Sequence, residues 1–267
     1  MFPAARIPYF PEPAEAALAG LELLYTVETQ APVTFFGYPG RPSTLAPAGC
    51  RTEDLPGAAL APLARLCGAA AEEYDPEPPQ TPEDGPLTPD SVGRTLAALL
   101  PAGSIVSDEM VSSGEAVNGH LARAARHDLL PVTGGSIGQG LPVALGAALA
   151  APGRPVFALE ADGSAMYTLP ALWSFARERA KVITVIFANR RYRILGVEME
   201  RTRAGKPGPR GDRMLELTDP PLDFVQLARG CGVAGARAAT VAELGRAVRE
   251  ALEREGPSLV EAVLERP

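Results

Sequence analysis

Two apolar runs with the length of buried strands, separated by one crossover, form the centre of the hydrophobic pattern. Pro155–Leu159 read PVFAL and Val182–Phe187 read VITVIF, and the segment between them carries Trp173 and Phe175. Continuous apolar runs of this length are typical of parallel strands that are covered on both faces. Strands and helices alternate from residue 87 to the end of the chain, which predicts an α/β fold with a doubly wound parallel sheet.

The other elements of this region follow from apolar periodicity and from turn residues. In chain order the pattern predicts a helix capped by Asp90 that runs to Leu100, short strands at Ser104–Ser107 and Leu129–Thr133, a helix at Leu141–Ala151, a long loop at Gly196–Pro221, helices at Leu222–Arg229 and Val241–Glu255, and a last strand at Ser258–Val263. Trp173 and Phe175 are expected in the core.

The amino-terminal region predicts too few elements for a complete domain. Residues 1–71 contain a short helix (Ala14–Ala19), a strand (Glu22–Val27), an apolar segment (Val33–Phe36) and a closing helix (Leu60–Ala71). Even if the apolar segment is counted as a second strand, two strands and two helices do not make a sheet with both faces covered. Residues 72–88 are rich in proline and acidic side chains, which predicts an exposed linker before a larger domain at 89–267.

Composition narrows the range of partners. The formal net charge of −7 argues against nucleic acid or an anionic membrane as the main partner.

The three cysteines are odd in number and widely spaced, which predicts reduced thiols in a cytoplasmic protein and no zinc site. Neither a signal pattern nor an apolar run of about 18 residues is evident. His120 and His127 lack metal-ligand partners in the sequence and are expected at the surface.

Asp162 and Asn189 are the candidate metal ligands, because each comes just after a predicted buried strand. Parallel strands present their carboxyl ends at one edge of the sheet, so the two side chains are expected close together. A carboxylate and an amide oxygen suit Mg²⁺, which leaves further positions for water and phosphate oxygens. Gly163 allows close approach of the backbone to a phosphate, and Ser164 adds a hydroxyl donor. The alternative is an ordinary Asp-Gly turn and a solvated Asn.

This arrangement resembles the thiamine-diphosphate-binding signature of the superfamily that includes pyruvate decarboxylase, acetolactate synthase and benzoylformate decarboxylase. That signature is Gly-Asp-Gly, a spacer and Asn-Asn, and here Ala161 and Ala188 replace the first Gly and the first Asn. The resemblance makes Asp162 and Asn189 the side-chain ligands of Mg²⁺ and the carbonyl of Arg191 the third protein ligand. It also places Tyr192 among the residues that bind the cofactor.

Two further segments gain a role through the same resemblance. In GGSIGQG (134–140), Ile137 stands where a bulky apolar side chain supports the bent cofactor, and the Gly135 carbonyl stands where the aminopyrimidine is bound. In SDEMVSSG (107–114), Ser112 and Ser113 stand where hydroxyls bind the diphosphate. Alone, the first segment could be a Gly-rich turn between a strand and a helix, and the second a helix cap followed by a solvated turn.

The resemblance covers nearly the whole chain, and its motifs are closest to acetolactate synthase large-subunit-like and benzoylformate decarboxylase-like proteins. Such enzymes have three domains, so residues 1–71 are interpreted as the end of a Rossmann-like middle domain. The domain that contacts the pyrimidine ring, with its catalytic glutamate, is expected to be absent, so the catalytic residue is not assigned. Thiamine diphosphate and Mg²⁺ are the implied cofactors, and a flavin is not expected.

The implied reaction is decarboxylation of a 2-oxo acid or carboligation of its product. A non-catalytic remnant, or one chain of a split decarboxylase, are the alternatives. The implied partners are a small 2-oxo acid and either a second copy of the chain or a partner chain that carries the pyrimidine-side domain. Apolar surface is expected around Met110, Ile137 and the turn at 134–140, because that domain would cover it.

Overall fold

The computed structural model describes residues 6–69, 77, 79–202 and 205–265. The chain divides into two compact units, Met1–Tyr74 and Asp75–Pro267. Part of the predicted linker (72–76 and 78) and the predicted end of the closing helix (70–71) lie outside the described residues. The division into a partial middle domain, a linker and a cofactor domain stays a prediction.

The first unit contains a small parallel sheet with helices. Its elements are helix α1 (Pro11–Leu18), strands β1 (Leu23–Val27) and β2 (Arg51–Leu55), a 3₁₀ turn (Gly57–Ala59) and helix α2 (Leu60–Leu66). Strand β2 was not predicted because its sequence, RTEDL, has one apolar residue and three exposed positions. The segment at Val33–Phe36 forms no strand and contributes only an isolated bridge from Val33 to Thr44.

The second unit is a doubly wound α/β domain, which confirms the predicted fold class. Its strands are β3 (Ile105–Glu109), β4 (Asp128–Pro131), β5 (Val156–Ala161), β6 (Val182–Ala188), β7 (Ala234–Ala238) and β8 (Ser258–Val263). Its helices are α3 (Pro89–Leu99), α4 (Gly114–Leu121), α5 (Gly140–Ala150), α6 (Asp162–Ala165), α7 (Ala171–Glu178), α8 (Arg193–Arg201), α9 (Pro209–Leu215), α10 (Phe224–Gly230) and α11 (Val241–Glu253).

All six strands are parallel, in the order β4-β3-β5-β6-β8-β7. The chain turns from β3 to β4 on one side and then crosses back to β5 on the other, so the strand order reverses between β3 and β5. In open parallel sheets, ligands bind in the crevice outside the carboxyl ends of the strands at such a reversal. This crevice is therefore where a site is expected.

The core forms two layers, one on each face of the sheet. Every residue of β5 and β6 is buried, and alternate positions face opposite layers because strand side chains have a period of two. Phe157 and Val185 pack in one layer, whereas Ala158 and Ile186 pack in the other with Phe175. Coverage on both faces explains why these strands read as continuous apolar runs.

Several local predictions were wrong. Helix α3 is capped by Thr88, whose hydroxyl accepts from the Ser91 amide, and Asp90 lies in the first turn instead. The predicted loop at 196–221 contains most of α8 and all of α9. Trp173 is 54% exposed, and the Arg177 guanidinium packs over its ring, whereas Phe175 is buried as predicted.

Strand β7 was missed because AGARA lacks large apolar residues. Cys50, Cys67 and Cys231 are free thiols. Among the helices that the structure describes, none is long and apolar enough to cross a membrane.

Candidate functional site

Four chain segments meet at the carboxyl edge of the sheet, on both sides of the strand reversal. They are the 3₁₀ turn after β3 (Val111–Ser113), the turn after β4 (Thr133–Gly135), helix α6 after β5, and the loop at 189–192 after β6. The first of these also packs against β5 and α8. The topology thus brings the residues predicted from separate motifs to a single edge of the sheet.

Asp162 is buried at the start of α6, where it is 3% exposed. Its Oδ1 accepts from the Gly163 amide at 2.9 Å, and its Oδ2 accepts from the Arg190 amide at 2.5 Å. The second bond links the loops after β5 and β6 directly. Among the described residues, no lysine or arginine side chain pairs with this carboxylate, so a cation would be the natural partner of its charge.

Asn189 and Arg191 lie on the loop that Asp162 contacts. The Oδ1 of Asn189 accepts from the Arg191 amide at 2.8 Å, one residue beyond the amide that binds Asp162. The Arg191 carbonyl accepts from the Arg193 amide at 2.8 Å. Each of these oxygens keeps a second lone pair. The three predicted ligands therefore belong to one hydrogen-bonded loop pair, and their binding of a metal stays a prediction.

Burial is the largest influence on the Asp162 carboxyl and raises its pKa from 3.8 to about 6, against the lowering effect of the Arg190 and Gly163 amides. The folded state therefore holds this proton more tightly than the unfolded chain does. A raised carboxyl pKa contributes stability that is largest below the unfolded value and declines as the pH rises to the folded value.

We expect the metal-free chain to lose free energy of unfolding through this group between about pH 4 and pH 6. Asp162→Asn removes the ionisable group, so its unfolding free energy should lack this part of the pH dependence. Mg²⁺ competes with the proton and should stabilise the parent chain more above about pH 6 than below it. Urea unfolding across this range, with and without Mg²⁺, measures both effects. If the parent and the variant had the same dependence of unfolding free energy on pH, the raised pKa of the Asp162 carboxyl would be contradicted.

Gly163 lies against the ring of Tyr192. A Cβ added at Gly163 would meet Cε1 and Cδ1 of Tyr192 more closely than real Cβ atoms approach other atoms. The loops after β5 and β6 therefore make both a hydrogen bond and a ring-to-backbone contact, and the second requires a glycine. Ser164 adds a tie to β3, because its hydroxyl donates to the carbonyls of Glu109 and Ala161 at 3.2 and 3.1 Å.

Gly163→Ala is expected to destabilise the chain by about 1–3 kcal/mol, because the added methyl group must displace the buried loop or the Tyr192 ring. Gly146→Ala is the matched control. That glycine lies in α5, and its added Cβ would meet no atom within 4 Å. Replacement of a helical glycine by alanine should stabilise the chain by up to about 1 kcal/mol. Urea unfolding midpoints measure both changes, and equal effects of the two substitutions would contradict the packing argument.

The turn between β4 and α5 depends on glycines with positive φ. Gly134, Gly135 and Gly138 have φ values of 62°, 66° and 99°. Ile137 is 37% exposed, so its side chain is available to a ligand. Met110, in contrast, is fully buried in the core, so the expectation of exposed apolar surface at Met110 was wrong.

The hydroxyl loop after β3 differs between its two serines. Ser113 is 3% exposed, and its amide donates to the Met110 carbonyl at 3.1 Å. Ser112 is half-buried. The structure brings this loop to the predicted edge, and binding of a diphosphate by its serines stays a prediction.

Sequence reasoning missed two buried carboxyls on adjacent strands. Glu109 on β3 and Glu160 on β5 are paired in register and are 0% and 1% exposed. Within the described part of the chain, the Oε1 of Glu160 has no hydrogen-bond partner. Burial, followed by the charge of Glu109, raises the pKa of Glu160 well above its ordinary value. For Glu160, a carboxylate inside the apolar run VFALEA is the sequence signal that could have identified it. Glu109 follows Ser107 and Asp108 and has no such signal.

Arg191 was predicted only for its carbonyl, but its side chain also has a role. The guanidinium donates to Glu216 at 2.5 Å and to Asp212 at 2.8 Å, which ties α9 and the residues after it to the loop at 189–192. These bonds also raise the pKa of Arg191, with the Asp212 bond as the largest cause.

The two histidines lie away from this loop. His120 Nε2 is 2.7 Å from Asp90 Oδ1, and His127 Nδ1 is 2.8 Å from the Ala125 carbonyl. Both are half-buried rather than fully exposed. Among the described residues, no cluster of three or more His, Cys, Asp or Glu side chains could hold a metal. A site with one carboxylate, one amide and one carbonyl would not form such a cluster.

Comparison with known protein families matches residues 115–262 to "Thiamine pyrophosphate enzyme, C-terminal TPP binding domain". Thiamine pyrophosphate is the same compound as thiamine diphosphate. This domain binds that cofactor, with Mg²⁺ as its usual partner metal. The matched range includes α4 to β8 and thus most of the parallel sheet.

Individual relatives agree with this match. The chain is 45% identical over 97% of its length to a Mycobacterium tuberculosis protein named "Putative acetolactate synthase large subunit IlvX", of which it covers 52%. It is 38% identical over 70% of its length to a benzoylformate decarboxylase of Pseudomonas aeruginosa, of which it covers 34%. The chain therefore spans about half the length or less of these relatives.

A solved structure shows the same fold. The thiamine diphosphate-dependent 4-hydroxybenzoylformate decarboxylase of Rhodococcus jostii RHA1 superposes with a TM-score of 0.74 at 26% identity, over 98% of this chain and 52% of that one.

Proposed function

Since this chain belongs to the thiamine pyrophosphate enzyme family, we propose that its site holds thiamine diphosphate through Mg²⁺ for the decarboxylation of a 2-oxo acid or the carboligation of its product. The observation that carries the proposal is the buried Asp162 carboxylate, which is bonded to the loop of Asn189 and Arg191 through main-chain amides.

The residues present suit a divalent cation bound to a diphosphate. Asp162 provides one buried negative charge, and its hydrogen bonds from Gly163 and Arg190 fix the direction of both oxygens. The Asn189 amide oxygen and the Arg191 carbonyl are hard, neutral oxygen ligands of the kind that Mg²⁺ prefers. These three protein ligands would leave further positions on the ion for water and for the diphosphate oxygens.

The chain's own groups would bind the two ends of the cofactor separately. Gly163, with its close backbone, and the hydroxyls of Ser112 and Ser113 would hold the diphosphate. The Ser164 hydroxyl instead donates to the carbonyls of Glu109 and Ala161 and holds the loop of Asp162 against β3. The Gly135 carbonyl and the exposed Ile137 side chain would support the rings. When bound, thiamine diphosphate supplies the nucleophilic carbon and the electron sink that decarboxylation of a 2-oxo acid requires. We assign Tyr192 to the cofactor side of the metal loop because of its contact with Gly163.

The pyrimidine end of the cofactor would need a second surface. In this proposal a domain that carries the catalytic glutamate covers the pyrimidine, and a separate partner chain contributes it. The chain spans 52% of the length of two full-length relatives, which supports the proposal that a further domain completes the site. A non-catalytic remnant that binds the cofactor without turnover is the second candidate, and the replacements by Ala161 and Ala188 are the observation that favours it.

Calorimetry of the 267-residue chain with thiamine diphosphate tests this proposal. We expect binding in the presence of Mg²⁺ and its loss when a chelator removes the metal. The absence of binding at millimolar cofactor with Mg²⁺ would overturn the assignment. Decarboxylation of pyruvate or benzoylformate on addition of a partner that carries the pyrimidine-side domain would distinguish an enzyme component from a remnant.

A further inference from the structure

Glu109 is a buried carboxylate that binds the main chain of the turn at 133–140. Its Oε1 accepts from the Gly138 amide at 2.7 Å, and its Oε2 accepts from the Gly140 amide at 2.6 Å. The residue is 0% exposed. Hydrogen bonds with one ionised partner are short and about twice as strong as neutral ones, so both carboxylate oxygens hold the turn firmly.

A second side chain of strand β3, that of Ser107, also binds this turn. Ser107 lies two residues before Glu109 and therefore on the same face of the strand. Its hydroxyl donates to the Gly140 carbonyl at 2.9 Å. Both main-chain groups of Gly140, the first residue of α5, are thus bound by side chains of β3.

The main chain of Glu109 also contacts the loop after β5. Its carbonyl accepts from the Ser164 hydroxyl at 3.2 Å. Glu109 is therefore bonded through its side chain to the turn that carries Gly135 and Ile137, and through its backbone to the segment of Asp162 and Gly163. One residue links the two halves of the proposed site.

The turn needs such an external tie. Gly134, Gly135 and Gly138 all have positive φ, and glycine has more conformational freedom to lose than any other residue. Without the two bonds to Glu109, the hydrogen bonds that the structure describes at this turn are the one from Ser107 to the Gly140 carbonyl and local ones, such as those from the Gln139 side chain to the carbonyls of Thr133 and Ser136.

We infer that Glu109 is a positioning residue that fixes the turn at 133–140 at the correct distance from the metal and diphosphate loop, so that the turn supports the cofactor rings. This inference rests on the proposed function, because the proposed function places the rings of thiamine diphosphate against this turn. Glu109 acts through Gly138 and Gly140 and not by contact with the cofactor. Its removal should therefore weaken the hold on the rings more than the hold on the diphosphate.

The test compares two ligands on three forms of the full 267-residue chain. Affinities for thiamine diphosphate and for inorganic diphosphate are measured by calorimetry in Mg²⁺ for the parent, Glu109→Gln and Glu261→Gln. A glutamine keeps the size of Glu109 but opposes one amide N–H with another donor. Glu261 is the matched control, since it is a buried strand carboxylate whose described hydrogen bonds go to the Arg237 side chain on β7, at 3.0 and 3.1 Å, and not to the turn.

We expect Glu109→Gln to lower the ratio of the two affinities, thiamine diphosphate over inorganic diphosphate, about tenfold, as the loss of one charge-assisted bond implies. Glu261→Gln should leave the ratio unchanged. Hydrogen exchange of the ligand-free chain should show faster exchange at the amides of Gly138 and Gly140 in Glu109→Gln alone. If that variant does not fold, Ser107→Ala replaces it, with a smaller fall in the ratio.

The possible failures are distinct. A parent that binds neither ligand overturns the proposed function, and the role of Glu109 toward the cofactor falls with it. A parent that binds both, together with a variant that weakens both equally, overturns the role of Glu109 alone, because a general loss of stability does not change the ratio. Unchanged exchange at Gly138 and Gly140 in Glu109→Gln also overturns it.

Discussion

Replacement of Asp162 by alanine should abolish Mg²⁺-dependent binding of thiamine diphosphate. The change removes the carboxylate of the proposed set of metal ligands and the acceptor for the Arg190 amide. Loss of an outer-shell partner of a metal site costs about 10–100-fold in affinity, so loss of a ligand should cost more than about a hundredfold. Calorimetry in Mg²⁺ measures the change, and unchanged affinity would refute the metal assignment.

Two other variants show whether this effect belongs to the site. Asn189→Ala should also weaken Mg²⁺-dependent binding strongly, because it removes the second proposed side-chain ligand. Asp223→Ala is the control. Asp223 caps α10 by accepting from the Gln226 amide, so its loss should cost about 1 kcal/mol of stability and no cofactor affinity. Equal loss of binding in all three variants would indicate unfolding and not a metal site.

The purified chain of residues 1–267 should bind thiamine diphosphate weakly and show no turnover of a 2-oxo acid. The proposed metal and diphosphate ligands all lie on this chain, but the rings would have support from one side only, through Ile137 and Gly135. In the proposed arrangement the glutamate of the partner domain would act on the pyrimidine and not on the metal or the diphosphate, so its absence should lower the rate more than the affinity. General acid–base assistance of this kind contributes about 10²–10⁴-fold to a rate.

Steady-state assays with pyruvate and benzoylformate, at protein concentrations high enough for association, provide the measurement. A second chain that carries the pyrimidine-side domain should restore turnover, and the same chain without its glutamate should not. Robust decarboxylation by residues 1–267 alone would show that a group on this chain replaces that glutamate. The buried Glu109 and Glu160 would then be the first residues to test.

The alternation of apolar runs determined the fold class of the larger unit. Strands β5 and β6 are buried along their whole length, so their sequences are apolar except for Glu160 and Thr184, and their positions could be read directly. The same reasoning failed at β2 and β7, whose residues are polar or small. A strand at the edge of a sheet is held by backbone hydrogen bonds to its neighbour. Those bonds form independently of the side chains, so such a strand does not require an apolar sequence.

The sequence also determined that Asp162 and Asn189 lie at the candidate site, although it did not identify Glu109 and Glu160. Asp162 and Asn189 each follow a buried strand, and parallel strands end at one edge, so their proximity followed from the strand pattern alone. The residue types indicated a metal site, because one carboxylate and one amide oxygen after two such strands suit a hard cation. Family comparison then confirmed the resemblance that these motifs suggested.

Only the tertiary structure decided how the segments are tied to one another. The bonds from Glu109 to Gly138 and Gly140 join residues about 30 positions apart, and the contact between Tyr192 and Gly163 spans a crossover. Such contacts depend on strand register and on loop conformation, which apolar periodicity does not encode. Burial of Met110 and exposure of Trp173 have the same cause, because the packing of neighbouring helices selects which apolar side chains are covered. The sequence by itself thus determined the central strands of the sheet and the edge at which the candidate site lies, and the packing of distant segments decided the geometry at that edge.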